Sequence, residues 1–95
     1  MVIAVSGEFG DDLKKFVYYR IENGRTVERE EIATPPALDA LKKQFANLQI
    51  DLLICGRIPA ELEKTLFDHG VNVISGINGK SDQILNSYLN GTLQF

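Results

Sequence analysis

Three short apolar segments of this chain each end in a small side chain followed by glycine. The endings are Ser6-Gly7, Cys55-Gly56 and Ser75-Gly76, and each follows a run of mostly aliphatic residues. Such runs are typical of parallel strands that are buried on both faces. Glycine after a strand lets the backbone turn sharply and lets a ligand come close to it. If the three strands are parallel neighbours, their endings share one edge of the sheet, where open α/β sheets usually bind ligands.

Two basic residues follow these endings and add positive charge to the same predicted edge. Arg57 follows the second ending and Lys80 lies shortly after the third. Backbone N–H groups gathered at this edge, together with the N-termini of the next helices, would attract an anion. The sequence has neither a complete dinucleotide fingerprint nor a P-loop, which argues against a nucleotide. Glycine and serine also form plain turns at low cost, so a ligand site and simple strand turns are both open.

Cys55 and His69 are the only cysteine and the only histidine, and both residue types bind metals. A Cys55 thiolate would supply one metal ligand at the sheet edge, but free cysteine is also among the most buried residue types. His69 lies at the C-terminal end of a predicted helix, where a cation interacts favourably with the helix dipole. That helix spans about 15 Å at 1.5 Å per residue, which places His69 at the opposite edge from Cys55.

The acidic residues do not form the pattern of a nuclease. Such an enzyme needs two or more carboxylates that converge on paired Mg²⁺ ions. The first apolar run, Val2–Val5, contains no acid; Glu8, Asp11 and Asp12 lie in a predicted loop, and Asp51 lies at the opposite sheet edge. The sequence therefore favours a protein that is not an enzyme.

The composition excludes several kinds of partner. The net charge is −3 and the basic residues are interleaved with acids, unlike the clustered basic face of a nucleic-acid-binding protein. A single cysteine excludes an internal disulfide and suggests a reducing compartment. No apolar stretch approaches the ~20 residues of a membrane span, and the N-terminus lacks a signal-peptide pattern. We expect one cytoplasmic domain, residues 1–95, with no nucleic-acid or membrane partner.

The elements that must position these residues follow the order βββαβαβα. The predicted strands are residues 2–5, 16–22, 26–32, 51–55 and 71–75. Asn23-Gly24 predicts a type I′ hairpin turn, because both central residues of that turn need positive φ. The charged third strand is predicted at an edge of the sheet. Right-handed crossovers then predict a five-stranded mixed sheet of order 3-2-1-4-5 with helices on both faces, a three-layer α/β architecture of the ribonuclease H-like kind.

Three segments have apolar residues at helical spacing. Their predicted buried faces are, in chain order, Leu38, Leu41, Phe45 and Leu48; Leu62, Leu66 and Phe67; and Ile84, Leu85, Tyr88 and Leu89. Thr34 is predicted to cap the first helix with Pro35 at its first position, and Ser81 is predicted to cap the third.

At the level of these patterns the chain resembles the dinitrogenase iron–molybdenum cofactor biosynthesis domain family, whose members include small carriers of nitrogenase cofactor precursors. The most specific match is the strand that ends Ile54-Cys55-Gly56. The matching segments are residues 2–5, 18–24, 27–30, 50–58, 66–73 and 85–91. The resemblance implies a non-enzymatic carrier that binds an iron–molybdenum or iron–sulfur cluster, with Cys55 as one ligand.

Two segments depart from this family. Members usually carry a His-Phe-Gly-Arg-like stretch after the first strand, and this chain has Glu8-Phe9-Gly10-Asp11 instead. Where members often have a histidine- and glycine-rich stretch, this chain has Thr34-Pro35-Pro36. Glutamate is a harder ligand than histidine or thiolate. We therefore expect a carrier that binds a metal cluster or a small anion at the strand endings; the alternative is a protein-interaction or regulatory domain, with another protein or a second copy as its partner.

Overall fold

The computed structural model describes residues 1–7, 14–35 and 38–93. Its elements are β1 (Val2–Val5), β2 (Lys15–Glu22), β3 (Arg25–Ala33), α1 (Leu38–Leu48), β4 (Leu52–Ile54), α2 (Ala60–Asp68), β5 (Asn72–Ile74) and α3 (Ser81–Leu89). The five strands form one sheet in the order β3-β2-β1-β4-β5, which confirms the predicted order.

The central strand β1 joins the two halves of this mixed sheet. It pairs antiparallel with β2, where Val5 lies opposite Val17, and parallel with β4, where Val5 lies opposite Ile54. Strand β5 is parallel to β4. The C-terminal ends of β1, β4 and β5 therefore lie along one edge of the sheet, and the beginning of antiparallel β2 lies at the same edge.

The hairpin between β2 and β3 has the predicted tight turn. Asn23 has φ 53° and Gly24 has φ 76°, so both central residues are in the left-handed region. The flanking residues Glu22 and Arg25 are paired, which makes the loop two residues long. A type I′ turn is thereby confirmed.

Each face of the sheet has its own hydrophobic core because successive strand residues point to opposite faces. On the first face, which we call the α3 face, Ile3, Val5 and Tyr19 pack with Ile84 and Leu85 of α3. On the second face, which we call the α1/α2 face, the core contains Ala4, Phe16, Leu53 and residues of α1 and α2. The helices thus cover both faces, as predicted.

Three predictions about the helices are wrong. Phe67 does not join the buried face of α2: Leu62 and Leu66 are buried, whereas Phe67 is 65% exposed. Thr34 and Pro35 are not helical, because the Thr34 N–H donates to the Lys14 carbonyl and prolongs the β2–β3 pairing. Ser81 is the first residue of α3 and Lys80 is its N-cap.

Candidate functional site

The three strand endings meet, as the sequence predicts. The Ser6 N–H donates to the Ile54 carbonyl at 2.9 Å, and the Cys55 N–H donates to the Ile74 carbonyl at 2.9 Å. Beyond the strands, the Gly76 N–H donates to the Gly56 carbonyl at 3.0 Å, and the Gly56 N–H donates to the Gly7 carbonyl at 3.3 Å. The sheet edge therefore brings together Ser6, Gly7, Cys55, Gly56, Ser75 and Gly76.

These same hydrogen bonds occupy several amides that the sequence suggested as anion donors. The N–H groups of Ser6, Cys55, Gly56 and Gly76 all donate to carbonyls of a neighbouring ending. An anion could bind them only by displacing a backbone partner, and each lost partner would leave a polar group unsatisfied. The N–H groups of these endings are therefore used in backbone hydrogen bonds, and donors for a ligand must come from other residues.

A cavity of about 370 Å³ lies on the α3 face beside the end of β1. It is bounded by the end of β1, the beginning of β2, the end of β3 and the beginning of α3. Its lining residues are Val5, Ser6, Gly7, Lys15, Phe16, Val17, Arg29, Glu31, Gly79, Lys80, Ser81 and Asp82. Ser6, Gly7 and Lys80, which the sequence places at one sheet edge, line this cavity together. Within the described chain, Cys55, Gly56, Arg57, Ser75 and Gly76 lie outside this lining.

The pairing of β2 with β3 places charged side chains in this cavity. Val17 lies opposite Glu31 and Tyr19 lies opposite Arg29, so Glu31 and Arg29 share the α3 face with those two residues. Lys15 is on the same face, and its Nζ lies 2.9 Å from Glu31 Oε1. This hydrogen bond lowers the pKa of the Glu31 carboxyl.

Tyr19, Arg29 and Asp82 form a cluster that attaches α3 to the sheet. Tyr19 Oη donates to Asp82 Oδ1 at 2.5 Å, and Arg29 Nε donates to the same oxygen at 3.1 Å. Burial and this hydrogen bond raise the pKa of Tyr19 to about 12, so the phenol stays protonated as a donor. The hydrogen bonds from Tyr19 and Arg29 lower the pKa of Asp82. The cluster therefore fixes the N-terminus of α3 at the cavity.

The charges around the cavity favour an anion. Lys15, Arg29 and Lys80 carry positive charge, against two carboxylates, Glu31 and Asp82. The N-cap Lys80 makes no side-chain capping hydrogen bond among the described residues, and the first N–H groups of a helix have no partner within it. The N-terminus of α3 contributes roughly half a positive charge. The arrangement can bind a small anion between α3 and the β2–β3 end.

Sequence reasoning missed Lys15, Arg29 and Glu31 and the Tyr19–Asp82 contact. The contact joins residues 63 positions apart, so nothing local in the sequence indicates it. A signal for Arg29 and Glu31 was present, because residues two apart on a strand share a face. Which face of the sheet they share is known only once the register of β3 against β2 is known.

The surroundings of Cys55 do not fit a metal ligand. Its side chain is fully buried on the α1/α2 face. Burial, with a further contribution from the charge of Glu63, raises the pKa of the thiol to about 12, whereas metals bind the thiolate. Within residues 1–7, 14–35 and 38–93, no group of three or more His, Cys, Asp or Glu side chains could hold a metal ion. Cys55 as a ligand stays a prediction that these contacts do not support.

His69 and Asp51 lie at the opposite edge, where the sequence places them. His69 lines a second cavity with Ile50 and Val71, which precede β4 and β5, and its Nδ1 lies 2.8 Å from the Thr65 carbonyl. The Asp51 carboxylate accepts the Val2 N–H at 2.7 Å, which serves the sheet. The loop carboxylates Glu8, Asp11 and Asp12 lie outside the described residues.

Comparison with known proteins identifies the fold alone. No family model matches the sequence, and no curated protein matches it. The crystal structure of PH0822 superposes with a TM-score of 0.86 over 99% of this chain and 95% of that chain, at 16% sequence identity. At that identity the likeness establishes a common α/β architecture and carries no conclusion about function. No helix in the described ranges is long and apolar enough to cross a membrane.

Proposed function

We propose that this protein is a non-enzymatic binding domain that takes up a small anion, such as a phosphate- or carboxylate-bearing molecule, at the C-terminal end of β1. The observation that carries the proposal is the cavity of about 370 Å³ lined by Lys15, Arg29 and Lys80 at the N-terminus of α3. This volume lies within the range of about 300–1,000 Å³ found for small-molecule sites.

The three cations have different roles in this proposal. Lys15 and Arg29 are held by Glu31 and Asp82 at 2.9 and 3.1 Å, so their positions are fixed before a ligand arrives. Preorganised donors reduce the entropy that binding costs. Lys80 is exposed at the mouth of the cavity and is the cation that an incoming anion would meet first. Lys80 is therefore the residue whose charge the affinity should follow most closely.

The resemblance to nitrogenase-cofactor carriers also implies an iron–molybdenum or iron–sulfur cluster. The proposal leaves the cluster out because the Cys55 thiol is buried and its pKa is raised to about 12. A carrier of a small anion keeps the class of function that the resemblance implies and uses the donors that line the cavity. The cytoplasmic setting suggested by the single cysteine remains a prediction.

The experiment is an NMR titration of the amide signals with inorganic phosphate, pyrophosphate and citrate. We expect the largest shifts at Gly7, Lys80 and Ser81. Lys80→Glu should weaken binding about tenfold or more, since a hydrogen bond to a charged group contributes about 1.5–3 kcal/mol. Lys43→Glu makes the same charge change at an exposed position of α1 and should leave the affinity within about twofold of the wild type.

Two results would contradict the proposal. One is the absence of saturable shifts with all three probes. The other is equal weakening by Lys80→Glu and Lys43→Glu, which would mean that the anion responds to net charge and not to this cavity.

A further inference from the structure

The exposed side chain of Phe67 lies in a groove at the far side of the molecule from the candidate anion site. The groove has a volume of about 450 Å³ and runs between α2 and β5. Its lining residues are Ala60, Glu63, Lys64, Phe67, Asn72 and Val73. An aromatic ring that is 65% exposed beside half-buried Val73 forms an apolar surface that solvent does not favour.

The two outermost strands of the sheet, β3 and β5, differ in how they resist pairing with another strand. Strand β3 carries Arg25, Glu28, Arg29, Glu30 and Glu31, and charges along an edge discourage another strand from adding to it. Strand β5, at the other edge, has the uncharged sequence Asn72-Val73-Ile74. The protected edge is thus β3, and β5 is the edge that can accept a further strand.

The stripe of α2 residues in the groove is complementary to itself. Ala60, Glu63, Lys64 and Phe67 are spaced by three, one and three positions and so share one face of the helix. When a second copy of α2 runs antiparallel beside the first, with the same midpoint, Ala60 meets Phe67 and Glu63 meets Lys64. The largest side chain faces the smallest, and each acid faces a base. An antiparallel pairing of β5 with its symmetry mate would be centred on Val73, the middle residue of β5, which lines the same groove.

We propose that the groove is a docking surface for a second copy of this chain, with β5 pairing antiparallel with its symmetry mate and the two α2 helices side by side. A two-fold interface requires that one patch complement itself, which the Ala60–Phe67 and Glu63–Lys64 pairs satisfy. The two five-stranded sheets then continue into one. This inference does not rest on the proposed anion site, which lies between β1, β2, β3 and α3.

Sedimentation velocity and light scattering on the full chain test the dimer over about a hundredfold range of concentration. We expect a species of twice the chain mass. Glu63→Lys should weaken dimerisation about tenfold or more, because two Lys–Lys contacts replace two ion pairs. The double variant Glu63→Lys/Lys64→Glu should restore it, since each pair is rebuilt with its charges exchanged. Glu61→Lys is the matched control, an exposed position on α2 outside the groove lining, and should leave the dimer intact.

Phe67→Ser provides a second test, since an exposed ring contributes little to the fold of one chain, and should also yield monomers with unchanged circular dichroism. A wild-type chain that stays monomeric at every concentration would overturn the proposal and leave the groove to a strand from another protein. A dimer that responds equally to Glu63→Lys and Glu61→Lys, or that the double variant fails to restore, would overturn it as well.

Discussion

The hairpin turn allows a stability change to be worked out from backbone geometry alone. Gly24 has φ 76°, and a Cβ at this position would meet no atom within 4 Å, so a substitution causes backbone strain without a clash. A β-branched residue held in the left-handed region costs about 2 kcal/mol. Replacing glycine also removes freedom from the unfolded chain, which offsets up to about 1 kcal/mol. We expect Gly24→Val to destabilise the protein by about 1 kcal/mol.

For a domain of this size, that loss lowers the melting temperature by about 4–8 °C. Thermal unfolding followed by circular dichroism measures it, with Gly24→Asn as the matched control. Asparagine tolerates the left-handed region, so its loss should be less than about half that of valine. A valine variant that melts within about 1 °C of the wild type would show that Gly24 does not relieve backbone strain. An equal fall in melting temperature for the valine and asparagine variants would show the same.

Three further predictions concern side chains. The Cys55 thiol should react with Ellman's reagent only in denaturant, because it is buried and its pKa is about 12; rapid labelling of the native protein would contradict this. In an alkaline titration at 295 nm, one of the three tyrosines should ionise near pH 12, and Tyr19→Phe should remove that step. Because the folded pKa of Tyr19 lies above the usual 10.0, stability should fall as the pH rises from 10 toward 12. Asp82→Asn should lower the melting temperature at pH 7. The difference in melting temperature between variant and wild type should shrink as the pH falls below 3.8. The reason is that the pKa of Asp82 is lowered in the folded protein, so the stabilisation from its carboxylate is lost on protonation. A difference that stays constant with pH would contradict the last prediction.

The order of the strands could be predicted from the sequence because the local turn signals and the rules of sheet topology agree. Asn23-Gly24 specifies its own turn, and the handedness of crossovers then leaves one arrangement for the strands after it. The prediction that Phe67 is buried was wrong because the burial of this ring depends on what lies beyond β5. Helical spacing places it about 100° from Leu66, at the margin of the apolar face. Because β5 is the last strand of the sheet, none of the residues that the structure describes covers the ring.

The candidate site was only partly predictable for a different reason. The strand endings are marked locally by glycine, so Ser6 and Gly7 could be placed at the correct edge. The charges that line the cavity come from β3, whose register against β2 decides which face Arg29 and Glu31 share. Lys80 was named from the sequence because it follows the third ending. The contact of Asp82 with Tyr19 joins residues that are distant in sequence, so no local pattern indicates it.

The central position of β1 also governs how the chain can assemble. Its parallel pairing with β4 places Ile3 opposite Leu52, so this pairing must close a loop of nearly 50 residues, whereas the β2–β3 hairpin closes across two. Loop closure costs more for distant partners, and non-local pairing slows folding. The hairpin can therefore form early and offer β2 as a template for β1, while β4 and β5 complete the sheet last. The slowest step should then be the docking of the C-terminal half. Because the hairpin is already formed at that step, mutations that destabilise it should slow folding, whereas mutations in β5, the last strand to pair, should mainly speed unfolding.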